Sequence, residues 1–134
     1  MKILVTGANG FIGKNLVMRL RELAKHEVFT FVRGQADAAL HEALTQAHAV
    51  VHLAGENRPL DIKGFAEVNT GMTERLCEAL KTLGKPIPVL LASSAQAEQD
   101  NPYGRSKLAA EQAVQALARD TGNPAVVFRL PGVF

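Results

Sequence analysis

The sequence predicts an α/β fold, a doubly wound parallel sheet with helices on both faces, from three observations. Short apolar runs rich in β-branched residues alternate along the chain with segments of three- and four-residue apolar spacing, the pattern of strands linked by crossover helices. A glycine turn, Gly7-Ala8-Asn9-Gly10-Phe11-Ile12-Gly13, joins the first run directly to the first helix-like segment. The 134 residues, 47% hydrophobic and 21% charged, suffice for one domain with a sizeable core.

Lys2-Ile3-Leu4-Val5-Thr6 reads as a buried strand, and the helix that follows carries Phe11, Ile12, Leu16, Val17, Leu20 and Leu23 toward one side. The three glycines have separate duties: one permits the tight turn, one lets a pyrophosphate approach the backbone, and one lets helix and strand pack closely. Unpaired N–H groups and the helix dipole both favour that anion, so a dinucleotide is expected on Gly7, Gly10 and Gly13, with Asn9, Phe11 and Ile12 around it. His26 to Val32 is the second strand. Arg33 follows, at the place where an acid would bond the ribose 2′-hydroxyl of NAD and an Arg accommodates the 2′-phosphate of NADP, so NADP is the expected cofactor.

Ala36 to Ala47 has helical spacing, and Ala49 to Gly55 is the next strand. The span between Val32 and Ala49 is too short for a helix, a strand and a second helix, so the third strand of the usual arrangement is expected to be reduced or absent. His52, inside an apolar run, reads as a core or supporting histidine rather than a catalyst. After Leu53, Ala54 and Gly55 end the strand with small residues, suited to a backbone that passes close to a cofactor, and all three are expected beside it. Asn57 and Arg58 follow on the carboxyl edge of the sheet, where open α/β sheets bind ligands; for Arg58 a substrate or phosphate contact and a solvated surface charge are equally open readings.

Phe65, Val68, Met72, Leu76, Ala79, Leu80 and Leu83 predict a long helix over Lys63 to Leu83, ended by Gly84 and Pro86. Asn69 lies within it, and spacing alone gives it no role. Pro88 to Ala92 is a strand closing on Ser93-Ser94, and a polar loop from Ala95 to Asn101 leads to Asn101-Pro102, a helix N-cap with proline at the first helical position. That helix runs to about Asp120 with Ala110, Ala113, Val114 and Leu117 inward; Gly122 and Pro124 stop it, and Ala125 to Leu130 is the last strand.

A net charge of +2 without a Lys/Arg run argues against nucleic acid, because a phosphate-tracking surface needs clustered positive charge. The single cysteine, Cys77, excludes an internal disulfide and a Cys-rich metal site; its place among helical apolar positions makes it a core residue, and no metal is expected. No stretch approaches the roughly 20 apolar residues of a membrane span, and the chain starts on a strand rather than a signal peptide, so a cytoplasmic location is expected.

Tyr103 and Lys107, four apart on one helix, share a face. A phenol with a reference pKa of about 10 exchanges its proton poorly at neutral pH, and a nearby ammonium favours the phenolate. Ser94, at the carboxyl end of the preceding strand, could hydrogen-bond the same substrate oxygen. The three would give or take a proton at a carbonyl or alcohol oxygen while a nicotinamide exchanges hydride at its carbon.

Gly7, Gly10 and Gly13, Leu53-Ala54-Gly55, Ser93-Ser94 and Pro102-Tyr103-Gly104-Arg105-Ser106-Lys107-Leu108 together resemble the extended short-chain dehydrogenase/reductase family of nucleotide-sugar epimerases, dehydratases and reductases. The resemblance covers the chain in order and implies a Rossmann fold. It implies that Ser94 polarises the substrate oxygen, Tyr103 is the catalytic acid/base, Lys107 lowers the Tyr103 pKa and binds the nicotinamide ribose, and Asn69 supports the site from the central helix.

His52-Leu53-Ala54-Gly55-Glu56-Asn57-Arg58-Pro59 and the short span from Ser94 to Tyr103 look like the reductase domain of bifunctional capsular-polysaccharide enzymes. That resemblance implies NADPH-dependent reduction of the 4-keto group of a UDP-2-acetamido-2,6-dideoxy-hexulose, with Asn57, Arg58 and Ser94 toward the UDP-sugar. Ala95-Gln96 stands where the family's dehydratases carry an Asp-Glu pair, which argues against dehydration. Gly132 stands where the family usually has Asn. The expectation is the amino-terminal, cofactor-binding part of a longer enzyme, lacking the substrate region and a cupin-like domain and inactive alone. A homodimer through the two long helices is a family habit. A UDP-sugar epimerase holding NAD and a silent NADP-binding module are the rival readings.

Overall fold

The computed structural model describes residues 1–32, 34–53 and 66–131. In chain order the elements are β1 (Lys2–Thr6), α1 (Phe11–Glu22), β2 (Glu27–Phe31), α2 (Asp37–Gln46), β3 (Ala49–His52), a π-helical turn (Ala66–Gly71), α3 (Met72–Leu83), β4 (Val89–Ser94), a 3₁₀ turn (Ala95–Glu98), α4 (Pro102–Thr121) and β5 (Ala125–Leu130). The strands form one parallel sheet in the order β2-β1-β3-β4-β5.

The order reverses between β1 and β3, so their carboxyl ends open the crevice where doubly wound sheets bind ligands. The glycine turn leaves β1 at that crevice, and Leu53 leaves β3 there. Among the described residues the sheet ends at β2, as the short span from Val32 to Ala49 requires.

Alternation along the strands divides the core. Leu4, Val50, Val89 and Leu91 face α2, α3 and α4 and pack with Leu40, Leu44, Leu76, Leu80, Val114 and Leu117. Ile3 and Val5 point the other way and pack with Val17, Leu16 and Leu20 of α1. Cys77 is buried in the larger cluster, and burial pushes its thiol up to about 11.

The ends of α1 depart from expectation. Phe11 is 65% exposed and Leu23 43% exposed, because Phe11 opens the helix at the crevice and Leu23 is already its C-cap. Only the middle of the predicted stripe reaches the sheet.

The predicted loop after Ser94 is partly a 3₁₀ turn, and the predicted helix over Lys63 to Leu83 begins, where described, with a π-helical turn. Phe65 and the Val68 side chain lie outside the described residues. Gly84 and Gly122 close α3 and α4 in the left-handed conformation, while Asn101 caps α4 by accepting the Gly104 N–H at 2.7 Å.

Candidate active site

Gly7 sits at φ +67°, the left-handed region that suits glycine, and its carbonyl accepts the Gly10 N–H at 3.1 Å. A Cβ on Gly13 would overlap that carbonyl and lie 2.8 Å from Ala8 Cα. The first turn of α1 is therefore pressed against the end of β1. Gly10, the N-cap, offers no side-chain oxygen to the helix N–H groups, and no acid stands in the first turn. With no side-chain cap and no acid at this helix start, its N–H donors suit a phosphate, so these residues fit a dinucleotide pyrophosphate. Asn9 and Phe11 are exposed beside it and Ile12 is half-buried.

The second half of the site is built where β4 gives way to α4. Ser94 Oγ accepts the Gln96 N–H at 3.1 Å, which turns the chain into the 3₁₀ segment. That segment is pressed onto the start of α4: a Cβ on Gly104 would overlap the carbonyl oxygens of Gln96 and Gln99. Ser94 and Tyr103 are thus held at adjoining ends of two elements in tight contact.

One turn along α4, the Lys107 ammonium lies 5.8 Å from the centroid of the Tyr103 ring. Lys107 is buried, and burial pulls its ammonium below its ordinary value against the opposing pull of Glu111.

Glu111 itself is buried beneath the end of β4. Ser93 donates to Glu111 Oε2 at 2.6 Å, while Arg129 donates from Nη2 to Oε1 at 2.9 Å and from Nε to Oε2 at 3.1 Å. Ser93 and Arg129 are partners in the β4–β5 register, so one carboxylate ties both strand ends to the helix that carries Tyr103 and Lys107.

Asn69 lies in the π-helical turn and is buried; its Nδ2 donates to Ser106 Oγ at 2.9 Å, and Ser106 donates to the Tyr103 carbonyl at 2.7 Å. Thr70 donates to the Ser106 carbonyl at 3.1 Å. Behind Asn69 stand His52 and Thr73, with His52 Nε2 at 2.9 Å from Thr73 Oγ1.

The structure therefore brings Ser94, Tyr103, Lys107 and Asn69 to one region and sets the glycine turn and Leu53 at the mouth of the crevice. Arg33, Ala54, Gly55, Asn57, Arg58 and Gly132 lie outside the described residues. Sequence reasoning missed Thr73, Ser106 and the Ser93–Glu111–Arg129 cluster. Only the four-residue step from Lys107 to Glu111 is visible in the sequence. Among the described residues no His/Cys/Asp/Glu group could hold a metal ion, and no helix is long and apolar enough to cross a membrane.

The model of the NAD dependent epimerase/dehydratase family matches residues 3–134. The chain belongs to that family. Over all 134 residues it is 48% identical to the UDP-2-acetamido-2,6-beta-L-arabino-hexul-4-ose reductase of Pseudomonas aeruginosa and spans 36% of that protein's length. The crystal structure of the capsular polysaccharide assembling protein CapF from Staphylococcus aureus matches with a TM-score of 0.83 and 36% identity, covering 100% of this chain and 35% of that one. RMD from Pseudomonas aeruginosa, complexed with NADPH, matches with a TM-score of 0.84 and 25% identity over 98% of this chain and 55% of its own. Within the family this chain thus corresponds to about a third of the curated reductase.

Proposed function

We propose that this chain is the cofactor-binding and catalytic part of an NADPH-dependent reductase that converts the 4-keto group of a UDP-4-keto-6-deoxy-N-acetylhexosamine to an alcohol in surface polysaccharide synthesis. The observation that carries the reading is the Lys107 ammonium 5.8 Å from the Tyr103 ring centroid, at the end of α4 packed against the turn of Ser94. The name of the Pseudomonas reductase supports the substrate class, and the NADPH in the RMD structure supports the cofactor.

Gly7, Gly10 and Gly13, with Asn9, Phe11 and Ile12, would hold the pyrophosphate and adjoining groups, and Leu53, Asn69, Tyr103 and Lys107 would hold the nicotinamide end. A nicotinamide held there would supply the hydride for the carbonyl carbon. Ser94 donates a hydrogen bond to the carbonyl oxygen, and Tyr103 gives its phenolic proton to that oxygen as it becomes a hydroxyl. The Lys107 ammonium stabilises the negative charge left on the phenolate. Arg33 would meet the NADP 2′-phosphate, and Asn57 and Arg58 the sugar nucleotide. The remainder of the relatives' length would complete the substrate site, and the assembled enzyme would be a cytoplasmic homodimer.

Within a chain of the relatives' full length, Tyr103→Phe is expected to lower ketone turnover by about 10²–10⁴-fold while leaving NADPH affinity nearly intact. Unchanged turnover removes Tyr103 from the chemistry.

A further inference from the structure

Six buried or half-buried residues from five segments form one line of hydrogen bonds that the reaction itself does not use. Thr6 and His52 are partners in the β1–β3 register, and Thr6 Oγ1 lies 2.6 Å from His52 Nδ1. The line continues from His52 Nε2 to Thr73 Oγ1 at 2.9 Å, from Thr73 Oγ1 to the Asn69 carbonyl at 2.8 Å, from Asn69 Nδ2 to Ser106 Oγ at 2.9 Å, and from Ser106 Oγ to the Tyr103 carbonyl at 2.7 Å. Thr6, His52, Asn69 and Thr73 are each at most 1% exposed, so removing the imidazole would take a partner from two buried hydroxyls that water does not reach.

The donors and acceptors fix the direction. The Asn69 carbonyl has no proton, so the Thr73 hydroxyl donates to it and has none left for His52. His52 must then carry its proton on Nε2 and donate to Thr73, which leaves Nδ1 to accept the Thr6 hydroxyl. Thr6 Oγ1 in turn accepts the Leu53 N–H at 3.0 Å. Asn69 donates from its amide, so Ser106 receives at Oγ and sends its own proton to Tyr103. Every link points the same way, from the centre of the sheet to the first turn of α4.

We propose that His52 is a positioning residue for Tyr103, a neutral Nε2–H imidazole that sets the π-helical turn and, through Asn69 and Ser106, the first turn of α4. The proposal rests on the reading of Tyr103 and Lys107 as the nicotinamide end of the site. His52 moves no proton in this role; it accepts from Thr6 and donates to Thr73, and so holds Thr73 on the Asn69 carbonyl of the π-helical turn. Its burial, and secondarily the charge of Lys107, push the imidazole down to about 3, so it stays neutral at physiological pH. The wide π-helical turn is where such a departure serves a site, since it is there that the Asn69 side chain reaches Ser106 of α4.

The test uses this chain with isotope-labelled histidine. At neutral pH the ring nitrogen shifts of His52 are expected to report the neutral Nε2–H tautomer; an Nδ1–H tautomer or an imidazolium overturns the proposal. That readout needs neither cofactor nor substrate, so it stands or falls apart from the assigned reaction.

Affinities then separate positioning from folding. The amide oxygen and N–H of Gln can replace Nδ1 and Nε2–H, so His52→Gln is expected to keep NADPH binding within about threefold, whereas His52→Leu weakens it about tenfold, the worth of one buried hydrogen bond. Adenosine 2′,5′-bisphosphate, which reaches only the end remote from Tyr103, should bind both variants alike. Equal NADPH affinity in the Leu variant, or loss of both ligands together, overturns the positioning role. Failure of the unmodified chain to bind NADPH counts against the cofactor reading and leaves the tautomer to decide the hydrogen-bond line.

Discussion

Lys107 and Tyr103 stand one turn apart on α4 with the ammonium 5.8 Å from the ring centroid, and the lysine is the more deeply buried of the two. The cation is thus held by the protein, with Glu111 one turn further along, while Tyr103 is half-buried. An ammonium on a compact stem is a point charge that a guanidinium's planar fork does not reproduce. In a chain of the relatives' full length, Lys107→Met and Lys107→Arg are both expected to reduce turnover by about 100-fold or more. Steady-state kinetics with saturating NADPH checks this, and an Arg variant of normal activity would show that any positive charge suffices.

Gly13 is the tightest point between α1 and β1. A methyl group there meets backbone, which cannot rotate away as a flexible side chain can. Gly13→Ala is expected to cost about 1–3 kcal/mol of stability and to abolish NADPH binding. Urea unfolding and cofactor titration of the same sample check both, and a stable variant that binds NADPH would contradict the packing account.

Ala24 ends α1 at φ +53°, among the described residues the one non-glycine in the left-handed region. A Cβ there strains the backbone, and glycine is the residue helices favour at this point. Ala24→Gly is expected to raise stability by about 1 kcal/mol without touching the site. A fall in the urea midpoint would show that the strain is not released.

His52 links stability to pH. Its value in the folded chain is depressed from the ordinary 6.5 to about 3. Below the ordinary value the unfolded chain binds a proton that the folded chain refuses, so stability falls as pH drops through that window, by up to about 1.4 kcal/mol per pH unit. Urea midpoints at about pH 7 and about pH 4.5 check it: His52→Gln should flatten the slope between them, and an unaltered slope would assign the acid loss to other groups.

The Arg129–Glu111 pair should matter more than an exposed one. Glu111 is buried and receives Ser93 as well, whereas Arg105 and Asp100 pair at 2.6 Å on the surface. Arg129→Ala leaves a buried carboxylate short of donors, and Arg105→Ala leaves only solvated groups. Thermal unfolding should show a clearly larger drop for the first; equal drops would mean that Glu111 finds water.

The strands were legible because β-branched runs such as Ala125 to Leu130 state their period directly, and Asn101-Pro102 marks the start of α4 by its own chemistry. Phe11 and Leu23 misled because helical spacing does not say where a helix runs past the sheet it packs on. Tyr103 and Lys107 could be paired from their four-residue step. Thr73 and Ser106 could not, since each is an ordinary helix residue whose role comes from a partner on another element, His52 of β3 for Thr73 and Asn69 of the π-helical turn for Ser106. The same holds for Ser93 and Arg129, which meet at Glu111 only once β4 and β5 are in register.

The account turns on one dinucleotide lying from the glycine turn to Tyr103 and Lys107. Titrating this chain with NADPH and following its backbone amide resonances tests that directly. Shifts that saturate together at Gly7 to Gly13 and at Tyr103 and Lys107 are the predicted result. An unchanged spectrum, or shifts that leave the glycine turn or the start of α4 untouched, would contradict it.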